Sequence, residues 1–207
     1  MSRFLEGPPI PQVLLSTMPS LLMARENLAA LDFMKQHNET TPKLFVAFAR
    51  RFEEMSIYKD EILEDAARLH DIGKGHPFIA GLLSIKDKLD NAQEYIMHLH
   101  PAVGRQILLN AGHEDIDPQV QVAYSHHENW DGTGYPQGLR GEEIPLIARV
   151  FSVVDAFDAM THARPYRKGV YTSEQAFEEL KKFRRTQFDP EVVKTFIENF
   201  SAIQKEL

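Results

Sequence analysis

The sequence predicts an all-α fold, a single helical domain of about seven to nine helices. Three observations carry the prediction. Apolar residues recur at helical spacing along most of the chain, capping residues and prolines stand where helices should open, and strand signals are nearly absent. The one β-branched cluster, Val150 to Val154, falls inside a helical pattern.

In chain order, residues 1–24 hold Pro8, Pro9, Pro11 and Pro19 and read as an extended N-terminal arm, with Pro19 suited to a first helical turn. Glu6 and the prolines spoil both the basic and the apolar region of a signal peptide. The helical domain is expected over residues 25–207. Leu44, Phe45, Phe48, Ala49, Phe52 and Met55 keep the spacing of one apolar face, and Ile62, Leu63, Ala66 and Leu69 repeat it. Asp117-Pro118 is an N-cap with proline at N1, opening Val120, Ala123 and Tyr124. Pro145 opens Ile147, Phe151 and Val154. Thr172 and Gln175 form a capping box, and Asp189-Pro190 opens the last apolar face. The stretch Glu128 to Glu143, rich in glycine, is the one long irregular segment, and such a loop inside a compact domain is usually functional.

The composition narrows the chemistry. The chain has 207 residues, 43% hydrophobic and 26% charged, which suits a soluble globular domain. No apolar run reaches the ~20 residues of a membrane span, so a cytoplasmic protein is expected. There is no cysteine, hence no disulfide, zinc-thiolate site or thiol nucleophile. A net charge of -7 argues against a nucleic-acid polymer as partner. Any metal must bind through histidine, carboxylate or water, and the chain has nine histidines.

Several of these polar groups fall on apolar faces. His70 lies four residues after Ala66, and Asp71 follows it. His127 lies four after Ala123, beside His126. Asp155 lies four after Phe151, and His100 sits at a helix junction before Pro101. Each alone admits a packing role, since a buried histidine usually bonds a carbonyl. Together, on separate helices, they point to an inward-facing histidine/carboxylate metal site, as helical bundles build them. Sulfur-free donors of this kind suit iron, manganese, zinc or nickel, and a carboxylate can bridge two ions.

The run His70-Asp71-Ile72-Gly73-Lys74 is followed by His100-Pro101, then His126-His127-Glu128, Asp131-Gly132-Thr133-Gly134-Tyr135-Pro136, Asp155 and Arg164-Pro165-Tyr166-Arg167. In this order and spacing the motifs closely resemble the HD-GYP family, a branch of the HD phosphohydrolase superfamily. The resemblance runs from about Leu44 to Phe200. It implies a phosphodiesterase that opens cyclic di-GMP through a metal-bridging hydroxide to the linear dinucleotide, with the end point, linear dinucleotide or GMP, left open. It also implies signalling-protein partners. By motif, His70, Asp71, His100, His126, His127 and Asp155 would be metal ligands, with Asp71 bridging. Lys74 would face the scissile phosphate, Tyr135 belongs to the signature loop, and Arg164 and Arg167 would meet phosphates and guanine. The cofactors implied are two divalent ions, iron or manganese first, with zinc, nickel or magnesium as alternatives.

His37 stands near the place of a further family histidine without that histidine's usual sequence context. Phe33 occupies the position one turn earlier where some members carry a glutamate beside a third metal, so two ions are expected. Two other functions stay open: a binding module that has lost catalysis, and a hydrolase of another phosphoester. His76, His98, His113 and His162 read as surface or loop residues, and Trp130 as a packing anchor.

Overall fold

The computed structural model describes residues 28–85, 87–162 and 169–207, with side chains from Glu39 onward. The expected arm over 1–24, the side chain of His37, and Arg164, Tyr166 and Arg167 lie outside these residues. The first helix, α1 (Leu28–Ala49), carries Pro42 in its interior and presents Leu44, Phe45 and Phe48 to the core. The expected apolar face continues past it, but the helix does not. The Arg50 guanidinium donates to Met55 O and Tyr58 O, both at 2.9 Å, and folds the chain into a 3-10 turn over Glu53–Ile57. Met55 still reaches the core, buried to 3% exposure, from this separate turn.

Helix α2 (Asp60–Leu69) follows, with Asp60 and Glu61 at its positive end and Leu63, Ala66 and Ala67 buried. It stops at His70, earlier than an ending set by Gly73 would place it. Gly73 lies in the next 3-10 turn, Ile72–Gly75, and serves close approach: a Cβ there would stand 2.0 Å from the His100 carbonyl oxygen. Two short elements, α3 (Pro77–Ala80) and the turn Gly81–Ser84, lead to α4 (Asn91–Met97), α5 (His100–Asn110) and α6 (Pro118–Ser125).

Asp117 occupies the N-cap of α6 without bonding it. Its carboxylate instead accepts from the Glu114 N–H at 3.0 Å and lies 3.1 Å from His113 Nδ1. His76 corrects the expectation of a surface residue, being 3% exposed with its ring stacked 5.8 Å from Phe78. The irregular stretch after Glu128 holds one 3-10 turn, Gly141–Glu143, before α7 (Leu146–Thr161). Helices α8 (Ser173–Phe183) and α9 (Pro190–Ile203) complete the domain, opened by the Thr172/Gln175 capping box and by Asp189, which caps the Glu191 N–H at 2.9 Å.

All nine α-helices are packed without a β-sheet among the described residues. Helix α7 lies at the centre, against α1, α6, α8 and α9. Phe45 meets Phe151 edge-on at 5.2 Å, and Phe157 meets Phe196 at 5.1 Å. Each such buried ring contributes about 1.5–3 kcal/mol by area. This core fixes α7, while α2, α5 and α6 pack together on one side and bring their ends to a common point.

Candidate metal centre

The common point is built from helix ends. His70 and Asp71 leave the C-terminus of α2, His126 and His127 leave that of α6, and His100 opens α5. The negative ends of two helix dipoles and the positive end of one therefore face the site, a balance that still favours a cation there. Each of three imidazoles is pinned by one nitrogen. His70 Nδ1 donates to Ala67 O at 2.7 Å, His100 Nδ1 to Met97 O at 2.8 Å, and His126 Nδ1 to Val122 O at 3.0 Å. This turns the three Nε2 atoms inward, as second-shell bonds do for metal-ligating histidines.

The inward nitrogens gather around Asp71. His70 Nε2 lies 3.2 Å from Asp71 Oδ2, while His100 Nε2 and His126 Nε2 lie 3.2 and 3.6 Å from Oδ1. Asp71 Oδ1 is buried, yet among the described residues no hydrogen bond with proper geometry reaches it. Ligand atoms of Asp71, His100, His126 and His127 all lie within 4.8 Å of one another. A carboxylate oxygen facing imidazole lone pairs is repulsive unless a cation or proton stands between them. The donor set thus fits a divalent metal.

The charges tell the same story. Burial lowers the His100 imidazole to about 4 despite the Asp71 carboxylate. Burial, then the neighbouring His126 and His100, holds His127 well below its ordinary value. Both imidazoles are therefore neutral and ready to donate lone pairs. Burial alone would also lower His70, but the adjacent Asp71 carboxylate overcomes it and the net shift is upward. Burial would raise Asp71, yet the charges of His70 and Lys74 hold it well below the usual carboxylate range. Lys74 Nζ sits 2.6 Å from Asp71 Oδ2, still part-exposed.

Asp155, midway along α7, is half-buried and stands outside the tight cluster. Its charge acts on His70, and it lines the adjoining cavity with His126 and His127. That cavity is about 430 Å³, within the ~300–1,000 Å³ of small-molecule sites. Tyr135 forms part of its wall, stacked on His127 at 4.9 Å and placed by its own N–H to His127 O at 3.1 Å. The structure brings together His70, Asp71, Lys74, His100, His126, His127, Tyr135 and Asp155.

Two contributors had been assigned no role of their own. Glu128 is 3% exposed, and its carboxylate accepts the Gln137 N–H at 2.7 Å and the Leu139 N–H at 3.0 Å, tying down the signature loop. Burial raises its carboxyl above the usual range even so. Its place beside two histidines was the available signal. The other is His98, expected to have no role, whose ring stacks on Tyr135 at 4.1 Å. No sequence pattern announces a contact between these two residues. Gly134 lets the loop double back, since a Cβ there would meet the Asn129 nitrogen at 2.2 Å.

A family profile described as HD domain matches residues 22–192. The chain belongs to the HD domain family. A cyclic di-GMP phosphodiesterase of Thermotoga maritima is 34% identical over 174 residues, 83% of this chain and 45% of that protein. The cyclic di-GMP phosphodiesterase response regulator RpfG of Xanthomonas campestris is 36% identical over 158 residues, 74% of this chain and 40% of that one. A 3'3'-cGAMP-specific phosphodiesterase of Vibrio cholerae is 35% identical over 150 residues, 71% of this chain and 28% of that protein. The chain thus spans less than half the length of these relatives. In fold it is similar to Bd1817, an HDG"Y"P protein from Bdellovibrio bacteriovorus, with a TM-score of 0.58 at 22% identity, over 81% of this chain and 52% of that one. The resemblance to the HD-GYP branch and the all-α fold are borne out. Among the described residues, no helix is long and apolar enough to cross a membrane.

Proposed function

We propose that this HD domain is a metal-dependent phosphodiesterase of cyclic dinucleotides, with cyclic di-GMP as substrate and the linear dinucleotide as first product. The supporting observation is the inward-facing Asp71/His100/His126/His127 cluster at one end of a ligand-sized cavity. The names of the relatives supply the substrate class. In this reading two divalent ions, iron or manganese, are held by His70, Asp71, His100, His126, His127 and Asp155. Asp71 suits a shared position, because its two oxygens face different imidazoles. When bound, such ions lower the pKa of water towards ~7 and offset charge on the phosphoryl oxygens.

The chain's own residues do the rest. Lys74, beside Asp71, presents its ammonium to the scissile phosphate. Tyr135 walls the cavity over His127 and excludes water from that side. Arg164 and Arg167 are proposed as the arginine forks for the ligand's phosphates. The same reading carries the expected cytoplasmic location and signalling partners. The Vibrio cholerae relatives named for 3'3'-cGAMP favour a second reading, with that mixed dinucleotide as substrate.

The test is turnover by protein loaded anaerobically with Fe(II) or Mn(II), with cyclic di-GMP and 3'3'-cGAMP as substrates and metal content measured in parallel. Linear dinucleotide is expected, at about two metals per chain. Asp71→Ala should lose metal and activity together. Activity that survives metal loss would refute the metal mechanism, and binding without turnover would favour a module that has lost catalysis.

A further inference from the structure

The cavity does not end at the metal ligands. Its far wall is formed by Glu179 and Phe183 on α8 and by Gln187 in the turn that follows. Glu179 and Phe183 are four residues apart on the same helix and so share a face. Phe183 is the last residue of α8 and remains 39% exposed, an aromatic surface presented at a cavity rather than packed in the core. The Glu179 side chain is 35% exposed, and no hydrogen bond holds it among the described residues. Its ionic neighbour among the described residues, Lys182, stands 3.7 Å away, 65% exposed, and lies 5.0 Å over the Phe183 ring. An exposed pair at that separation is weak and readily exchanged for a ligand. The turn carrying Gln187 is fixed to the signature loop, with Trp130 N–H donating to Gln187 O at 3.1 Å and Asp131 N–H to Thr186 O at 2.9 Å. The far wall is therefore held in register with the metal end.

These side chains have a definite complement. A carboxylate accepts two adjacent N–H donors, an amide can donate to a neighbouring carbonyl, and an aromatic ring offers a stacking surface. Guanine carries N1–H and the 2-amino group next to each other, with O6 beside them. Adenine presents an acceptor nitrogen at position 1, which a carboxylate repels. We infer that Glu179, Gln187 and Phe183 form a base-reading subsite for guanine: Glu179 accepts from N1–H and the 2-amino group, Gln187 donates to O6, and Phe183 packs against the ring. The inference rests on the cyclic-dinucleotide reading above and adds its base selectivity. A nucleotide's phosphate lies towards His126, His127 and Asp155, and its base lies towards α8.

Mononucleotides test the subsite apart from catalysis. Binding of GMP, IMP and AMP to the metal-loaded protein is measured by calorimetry for the wild type, Glu179→Gln and Phe183→Leu. The wild type should prefer GMP to AMP by about tenfold or more, the discrimination expected of a two-point base contact. IMP, which lacks the 2-amino group, should fall between them. Glu179→Gln should bring GMP and AMP within about threefold, by weakening GMP and relieving the repulsion of adenine N1, and Phe183→Leu should weaken both. Equal wild-type affinities, no detectable GMP binding, or a preference that survives Glu179→Gln would each overturn the subsite. Turnover of cyclic di-GMP is followed separately, and its absence alongside an intact GMP preference would sink the hydrolase reading alone.

Discussion

Asp71 and Lys74 sit 2.6 Å apart and have separable roles. Asp71 faces three imidazoles, so in the proposed reading its loss should remove the metal. Lys74 touches only one edge of the cluster and carries the charge that would meet an anionic ligand. Lys74→Ala is therefore expected to keep its metal content while kcat falls about 10²-fold, as when one charge-stabilising donor is removed. If metal is lost to the extent seen in Asp71→Ala, Lys74 holds Asp71 in place instead of serving the substrate. His98 lies one step further out, stacked on Tyr135. An aromatic pair contributes about 0.5–1.5 kcal/mol beyond its area, so His98→Ala should raise KM by about 2- to 12-fold with kcat little changed. His98→Phe should restore KM because it keeps the stack, and a failure to do so would show that the ring contact is not what matters. The clustered histidines were legible in the sequence because a polar residue on an apolar face is anomalous at short range. His98 was not, because its partner lies on the signature loop and is reached by the fold alone, and Glu128 was visible beside the two histidines while its bonds to the loop were not.

At the level of elements, the helix starts were legible and some of the ends were not. Thr172 and Asp189 announce α8 and α9 with side chains that bond the first-turn N–H groups. The end of α1 is set by Arg50 reaching two carbonyls further along, a long-side-chain contact that apolar spacing does not encode. Gly73 shows a second limit. It invites reading as a helix stop, yet the space around it is closed by α5, whose Gly104 nitrogen would stand 2.7 Å from an added Cβ and whose His100 carbonyl oxygen would be nearer still. That proximity couples the turn after α2 to the first residue of α5, and hence Asp71 to His100. Gly73→Ala should destabilise the fold by about 1–3 kcal/mol, the usual cost of overpacking, and should lower metal occupancy as His100 is pushed away. Gly75→Ala, two residues on with open space around it, should change neither. Urea denaturation and metal analysis of both variants check the pair, and equal effects would place the cause in backbone conformation instead of contact.

For the whole molecule, the cluster takes its ligand atoms from residues 71, 100, 126 and 127, on segments joined only through the packing of α2, α5 and α6. The unfolded chain has no such arrangement, so a metal that binds the native protein must shift its folding equilibrium. The metal-free cluster also concentrates groups whose burial is compensated only by one another, with neutral His100 and His127 beside charged Asp71. Metal at about 100 times its dissociation constant should add about 2.7 kcal/mol of stability. For a domain of this size that is a rise of roughly 5–11 °C in the unfolding midpoint, at about 2–4 °C per kcal/mol. Thermal unfolding with added Mn(II), and again after chelation, measures it, with Asp71→Ala as the control that should not respond. A midpoint indifferent to metal in the wild type would mean that the convergence of helix ends does not bind metal in the folded state. A rise that persists in Asp71→Ala would move the binding site elsewhere in the chain.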